Sequence, residues 1–301
     1  MVSGASQGTK ERPLSAPVTP ASSLREIPQC RTLQIEKSCP WNGARKTRGI
    51  LNLFDLHGKT ALVTGSSRGL GLGIARALAE AGARVALHGS QTVPADATKQ
   101  VNDAQPGAIA VTGDVSDPAA CIQMVEQVMD RFGSIDILVN NAGTIRRSPA
   151  AEHSWDDWNA VLETNLSSVF RLSQLAGKHM LAQGSGKIVN IASLLTFQGG
   201  VTVPAYAAAK GGVGQLTKAL ANEWASRGVN VNAIAPGYME TDNTTALRAD
   251  PVRSRQILER IPAGRWGTPA DLAGAAVFLA SRASDYMHGH VLVVDGGWMG
   301  R

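Results

Sequence analysis

The 301-residue chain has little with which to staple or anchor itself. It contains three cysteines, Cys30, Cys39 and Cys121, too few and too scattered for the disulfide framework of a secreted fold. Cys30 and Cys39 have no histidine or cysteine partner at a ligand spacing, so no metal site is expected. No apolar run approaches the ~20 residues of a membrane span. The N-terminus lacks the apolar core of a secretory signal. A reduced, cytoplasmic setting without a membrane partner is therefore expected. The net charge is +5, but residues 1–50 carry eight Lys/Arg against three Asp/Glu, so the remaining 21 of each sign balance. The body thus lacks the basic surplus of a nucleic-acid binder. No internal repeat and no break in composition appears after residue 50, which favours one domain.

Residues 1–49 are rich in Ser, Thr, Pro, Arg and Lys without apolar periodicity. They read as a disordered N-terminal extension, and residues 50–301 as the folded domain. Within that domain short apolar runs at 60–64, 84–88, 108–112, 135–139, 187–191, 229–234 and 290–294 predict strands. Helical patterns at 69–81, 118–132, 155–163, 165–181, 205–226 and 269–280 alternate with them. Such alternation predicts an α/β fold, a doubly wound seven-stranded parallel sheet with helices on both faces. Ligands in such sheets bind beyond the carboxyl ends of the strands, near the point where the strand order reverses.

Six stretches that could carry chemistry fall just after strands or on the helices between them. Thr64-Gly65-Ser66-Ser67-Arg68-Gly69-Leu70-Gly71 joins the first strand to a helix. Glycines there permit a tight turn and close approach to a pyrophosphate at the helix N-terminus, although the spacing is not GxGxxG. Asn140-Asn141-Ala142-Gly143 ends the fourth strand with small residues that leave room for a flat ligand. Asn165 interrupts an apolar helix, an unfavourable place for asparagine. Ser193 follows the fifth strand, where its hydroxyl can donate to an oxygen gaining charge. Tyr206 and Lys210 lie four residues apart, on one face of a helix. The ammonium is expected to lower the tyrosine's pKa toward that of a usable base. Pro236-Gly237-Tyr238-Met239-Glu240-Thr241 then opens a long segment of the kind that forms lids.

Taken together, these motifs resemble the short-chain dehydrogenase/reductase family from about residue 51 onward. The resemblance implies a catalytic tetrad of Asn165, Ser193, Tyr206 and Lys210, with Tyr206 as general acid/base and Asn165 holding a proton-relay water. It implies a Rossmann-type domain with NAD(P)(H) contacts at Gly65, Ser67, Arg68, Gly69, Leu70, Gly71, His88, Asp114, Val115, Asn141, Ala142, Gly143, Tyr206, Lys210, Pro236, Gly237 and Thr241. A homotetramer is also implied. Within the family, Gly143-Thr144-Ile145-Arg146-Arg147, the stretch 235–250 and Val294-Asp295-Gly296-Gly297-Trp298 are similar to the sugar-acid 5-dehydrogenases, those of 2-dehydro-3-deoxy-D-gluconate and of gluconate. That similarity implies a secondary alcohol–ketone interconversion on a sugar acid, with Arg146, Arg147, Ser193 and Gln198 toward the substrate.

The second strand ends in His88-Gly89-Ser90, without the acid that holds ribose hydroxyls in NAD-preferring enzymes. Arg68 stands in the glycine turn, as it does in NADP users of the family. NADP is therefore expected to serve at least as well as NAD, although the subfamily resemblance points to NAD. Two other readings compete with the sugar-acid enzyme. A 3-oxoacyl carrier-protein reductase would show a basic entrance, and a non-catalytic nucleotide-binding regulator would not need Tyr206 and Lys210.

Overall fold

The computed structural model describes residues 49–301. The disordered extension expected at 1–49 lies, up to residue 48, outside the described residues. Seven strands form one sheet: β1 (Thr60–Val63), β2 (Arg84–Gly89), β3 (Ile109–Thr112), β4 (Ile137–Asn140), β5 (Gly186–Ile191), β6 (Val229–Pro236) and β7 (Val291–Val294). Their order is β3-β2-β1-β4-β5-β6-β7, and every neighbouring pair is parallel. The order reverses between β1 and β4. There Val63 is in register with Leu87 on one side and Val139 on the other. The crevice expected from the sequence therefore opens beyond Thr64 and Asn140.

The central strands are mainly apolar because both faces of the sheet are covered there. Residues alternate between faces. Ala61, Val63, Ile137 and Val139 pack on Ile74 and Leu78 of α1 (Gly69–Glu80) and Leu272 and Ala276 of α9 (Pro269–Ala280). Leu62, Leu138 and Ile188 point the other way. They meet Met124 of α3 (Pro118–Phe132), Leu172 and Met180 of α5 (Ser168–Gln183), and Leu220 and Trp224 of α6 (Pro204–Trp224). The caps follow local chemistry. Asp117 accepts the Ala119 N–H at 2.9 Å before Pro118 starts α3, and Gly133 ends that helix at φ 78°, a left-handed conformation suited to glycine.

Three helices differ from the sequence expectation. α2 (Ala95–Ala104) buries only Ala97 and Val101, and α8 (Pro251–Arg260) only Ile257, so neither presents a readable apolar stripe. Both α8 and the single turn α7 (Thr245–Ala249) sit in the segment after β6, which is thus structured rather than an open loop. The 155–181 region holds α4 (Trp155–Leu162) and α5, joined by a π-helical turn at Glu163–Ser167.

Candidate active site

The glycine turn is built by close packing. Gly65 has φ 61°, and a Cβ on it would come within 2.8 Å of the Ala142 Cα. A Cβ on Gly71 would meet the Gly65 carbonyl oxygen at 2.2 Å. These two glycines bring the turn against the end of β4. Gly69, at φ 58°, has nothing near its missing Cβ, so it contributes conformation rather than room. Asn141 fixes the turn: its Nδ2 donates to the Thr64 and Gly65 carbonyls, both at 2.9 Å. α1 then starts with no side-chain cap and no acid in its first turn. Its free N–H groups and positive dipole end face a cleft of about 570 Å³, which suits an anion such as a pyrophosphate.

Of the residues expected to hold the cofactor, Gly65, Ser67, Arg68, Gly69, Leu70, Gly71, His88, Asp114, Val115, Asn141, Ala142, Gly143, Tyr206, Lys210 and Thr241 line this one cleft. Pro236 and Gly237 do not. Pro236 is the last, buried residue of β6, and a Cβ on Gly237 would lie 2.6 Å from the Asp295 Cα. At Gly237 two chain segments come together, its N–H donating to the Val294 carbonyl at 2.9 Å. Both ring nitrogens of His88 are taken by backbone groups. Its ring does not reach out to a phosphate, because Nδ1 accepts the Gly65 N–H at 2.9 Å and Nε2 pairs with the Gly113 carbonyl at 2.8 Å. Burial holds its pKa below the usual histidine range. Arg68 is exposed on the cleft rim, and its Nε lies 2.8 Å from Asp242 Oδ2 on the opposite lip.

Tyr206 and Lys210 share the first turns of α6. The Lys210 ammonium lies 5.6 Å from the tyrosine ring centre and donates to the Ile191 carbonyl at 2.6 Å. Burial lowers the Lys210 pKa from 10.5 to about 8. For Tyr206 the direction expected from the sequence is reversed. Burial pushes the phenol upward, opposed by the Ser193 hydroxyl and the Arg147 guanidinium. Desolvation of the phenolate outweighs both neighbours in this partly dry site. Ser193 caps the short helix after β5, accepting the Leu195 N–H at 3.2 Å. Asn165 is fully buried at the π-helical turn, and its side-chain amide is engaged on three sides. Nδ2 donates to the Thr144 and Val161 carbonyls at 2.8 and 2.9 Å, and Oδ1 accepts the Thr144 N–H at 3.2 Å. It pins the strand-end loop that leads to Arg146 and Arg147.

Comparison with known proteins places this arrangement. The profile of a family described as enoyl-(acyl carrier protein) reductase matches residues 65–299. A 2-dehydro-3-deoxy-D-gluconate 5-dehydrogenase of Pseudoalteromonas atlantica is 56% identical over 259 residues, which is 84% of this chain and 100% of the relative. The chain is a short-chain dehydrogenase/reductase. Its fold is also that of solved relatives. One is a candidate 2-deoxy-D-gluconate 3-dehydrogenase from Agrobacterium tumefaciens with bound NADP. It is 54% identical at a TM-score of 0.78, covering 83% of this chain and 100% of that one. Another is a gluconate 5-dehydrogenase from Burkholderia cenocepacia J2315 in complex with NADP and tartrate. It is 42% identical at a TM-score of 0.81, covering 84% and 100%.

In this dehydrogenase the paired arginines have separate environments. The Arg146 Nε lies 3.4 Å from Asp157 Oδ1 on α4. Arg147 has no carboxylate partner among the described residues, and its charge acts on the Tyr206 phenol. Its loop is tied by the Ser148 N–H to the carbonyl of Thr202, at 3.0 Å. Thr202 is the one non-glycine among the described residues with positive φ, at 62°, a strained backbone beside the start of α6. Gln198 is half-buried in the neighbouring loop, its N–H donating to the Leu194 carbonyl at 3.2 Å. Arg146, Arg147, Ser193 and Gln198 are not part of the cleft that runs over the glycine turn. Sequence reasoning missed Ser90, Gln91 and Thr92 beyond β2, and Asp242 and Asn243 opposite them, all of which line the cleft. Their only sequence signal is position, in the segments that follow β2 and β6.

Proposed function

We propose that this dehydrogenase interconverts a secondary alcohol and a ketone on a sugar acid, using NADP(H), in the manner of the 2-dehydro-3-deoxy-D-gluconate and gluconate 5-dehydrogenases. The observation that carries the reading is the Arg147 guanidinium, free of any carboxylate among the described residues and close enough to act on the Tyr206 phenol. A guanidinium there offers a two-pronged hold on a substrate carboxylate. The relatives named for gluconate derivatives, and the neighbour holding tartrate, support a hydroxy-acid substrate.

The dinucleotide fits the residues present. Its pyrophosphate would rest on the uncapped N-terminus of α1, with Asp114 and Val115 at one end of the cleft and Tyr206 and Lys210 at the other. No acid of the β2 end meets the ribose, and Arg68 on the rim can pair with a 2′-phosphate. The bound nicotinamide supplies hydride transfer to and from the carbinol carbon. The chain handles the proton. Tyr206 gives its phenolic proton to the oxygen of a ketone in reduction, and takes it from the alcohol in oxidation. Because burial favours the neutral phenol, the form present at neutral pH is the one poised to protonate a ketone. Ser193 donates to the same oxygen while it carries partial charge. Lys210 remains largely protonated at neutral pH, with a pKa of about 8. Its ammonium favours the phenolate during turnover. Asn165 positions the loop that presents Arg147.

Exposed Trp155 and Phe170, 76% and 46% accessible on α4 and α5, support assembly, read here as a homotetramer. Dependence on a nicotinamide dinucleotide pool supports a cytoplasmic location. Among the described residues no helix is long and apolar enough to cross a membrane. The test is a panel of sugar acids, their keto forms and 3-oxoacyl thioesters, assayed with NADP(H) and NAD(H). Turnover confined to sugar acids is expected. Turnover confined to thioesters would replace the reading with the carrier-protein reductase.

A further inference from the structure

The geometry assigns His88 as a positioning residue of the cofactor turn: a neutral imidazole that holds the Gly65 peptide in its left-handed conformation. The inference rests on the cofactor site proposed above. His88 is 2% exposed at the end of β2, and each ring nitrogen has one partner. The partners fix the tautomer. A backbone N–H can only donate, so Nδ1, 2.9 Å from the Gly65 nitrogen, must be the acceptor. A carbonyl can only accept, so Nε2, 2.8 Å from the Gly113 oxygen, must carry the proton. The same residue's main chain completes the lock. Its N–H donates to Ser66 Oγ at 2.8 Å, and its carbonyl accepts the Ser66 N–H at 2.9 Å.

Gly65 is thereby held on both sides. His88 takes its N–H, and Asn141 Nδ2 donates to its carbonyl at 2.9 Å. This residue begins the turn that delivers the first N–H groups of α1 to the cleft. Rotation of the Gly65 peptide would move those groups off a pyrophosphate. The imidazole also ties the turn to the end of β3, one residue before Asp114. The buried ring thus fixes the Gly65 turn without touching the ligand through its nitrogens.

The test compares binding of NADP⁺ and of adenosine 2′-phosphate, which lacks the pyrophosphate, by calorimetry in the parent and three variants. His88→Asn keeps an oxygen acceptor near the Nδ1 place. His88→Gln reaches the Nε2 place but leaves the Gly65 N–H unpaired. His88→Leu removes both contacts. Loss of one buried hydrogen bond corresponds to about tenfold in affinity. NADP⁺ binding is expected to weaken by about that factor in His88→Gln and more in His88→Leu. His88→Asn should stay near the parent, and adenosine 2′-phosphate should change little throughout. If His88→Leu does not fold, the contrast between Asn and Gln still decides. Equal affinities for those two variants, or equal losses for both ligands, would overturn the assignment. A parent that binds neither NADP⁺ nor NAD⁺ would instead overturn the cofactor site itself.

Discussion

Lys210 offers the sharpest test of the site's electrostatics. It is 4% exposed, and its pKa falls from 10.5 to about 8 through burial. At 1.36 kcal/mol per unit, holding the ammonium in the folded state costs roughly 3 kcal/mol relative to the unfolded chain. Below about pH 8 both states carry the proton, and this cost is present in full. Between about 8 and 10.5 the unfolded chain keeps the proton that the native chain has lost. Native stability therefore rises with pH across that window. Lys210→Met removes the charge and keeps the volume, at the expense of the 2.6 Å bond from the ammonium to the Ile191 carbonyl, worth about 2 kcal/mol. The variant should be more stable than the parent by about 1 kcal/mol at neutral pH. That advantage should shrink and reverse toward about pH 10. Denaturant midpoints of both proteins across the range give the difference directly, and groups common to both cancel. A difference constant with pH would refute the buried-ammonium reasoning. The same variant should lose turnover and cofactor affinity, so the charge is retained against its own stability cost.

The remaining expectations concern the cleft rim and the N-terminal segment. Arg68→Ala should weaken NADPH about ten- to hundredfold, the range of a charge-assisted hydrogen bond, and NADH much less, read as kcat/KM for each. Asp242→Asn frees Arg68 from an ion pair whose partners are 80% and 76% exposed, so NADPH affinity should rise only a few-fold; no change would show that the pair does not compete. An acid that favours NAD belongs at Ser90, not Gly89. A Cβ at Gly89 would lie 2.0 Å from the Thr92 carbonyl oxygen. Ser90→Asp should therefore shift the kcat/KM ratio toward NAD while Gly89→Asp lowers the yield of folded protein. Deleting residues 1–48 should leave the thermal midpoint and kcat unchanged, since the Pseudoalteromonas relative is matched over its full length by 84% of this chain.

The alternation of mainly apolar runs and helices made the sheet legible, because β1, β4 and β6 are buried at every position. The longer helices that sequence reasoning missed, α2 and α8, bury only one or two residues each. At the site, residue types at strand ends located the cleft but not what each side chain faces. The turn inward of His88 depends on the Gly65 N–H and Gly113 carbonyl, contributed by two other strand ends. Likewise the direction of the Tyr206 shift depends on burial set by tertiary packing. The four-residue spacing to Lys210 does not carry that information. The separation of Arg146 from Arg147 rests on Asp157 of α4, a contact that adjacency in sequence does not reveal.

The central claim is that Tyr206 moves the proton in an oxidoreductase reaction on a sugar acid. It is tested most directly by kcat of Tyr206→Phe with the sugar acid turned over by the parent, measured alongside the dissociation constant for NADP⁺. The substitution removes one oxygen and leaves the ring beside Lys210 in place. The account predicts a fall in kcat of about 10²- to 10⁴-fold with NADP⁺ affinity close to that of the parent. A Phe variant that turns over at the parent's rate would contradict it.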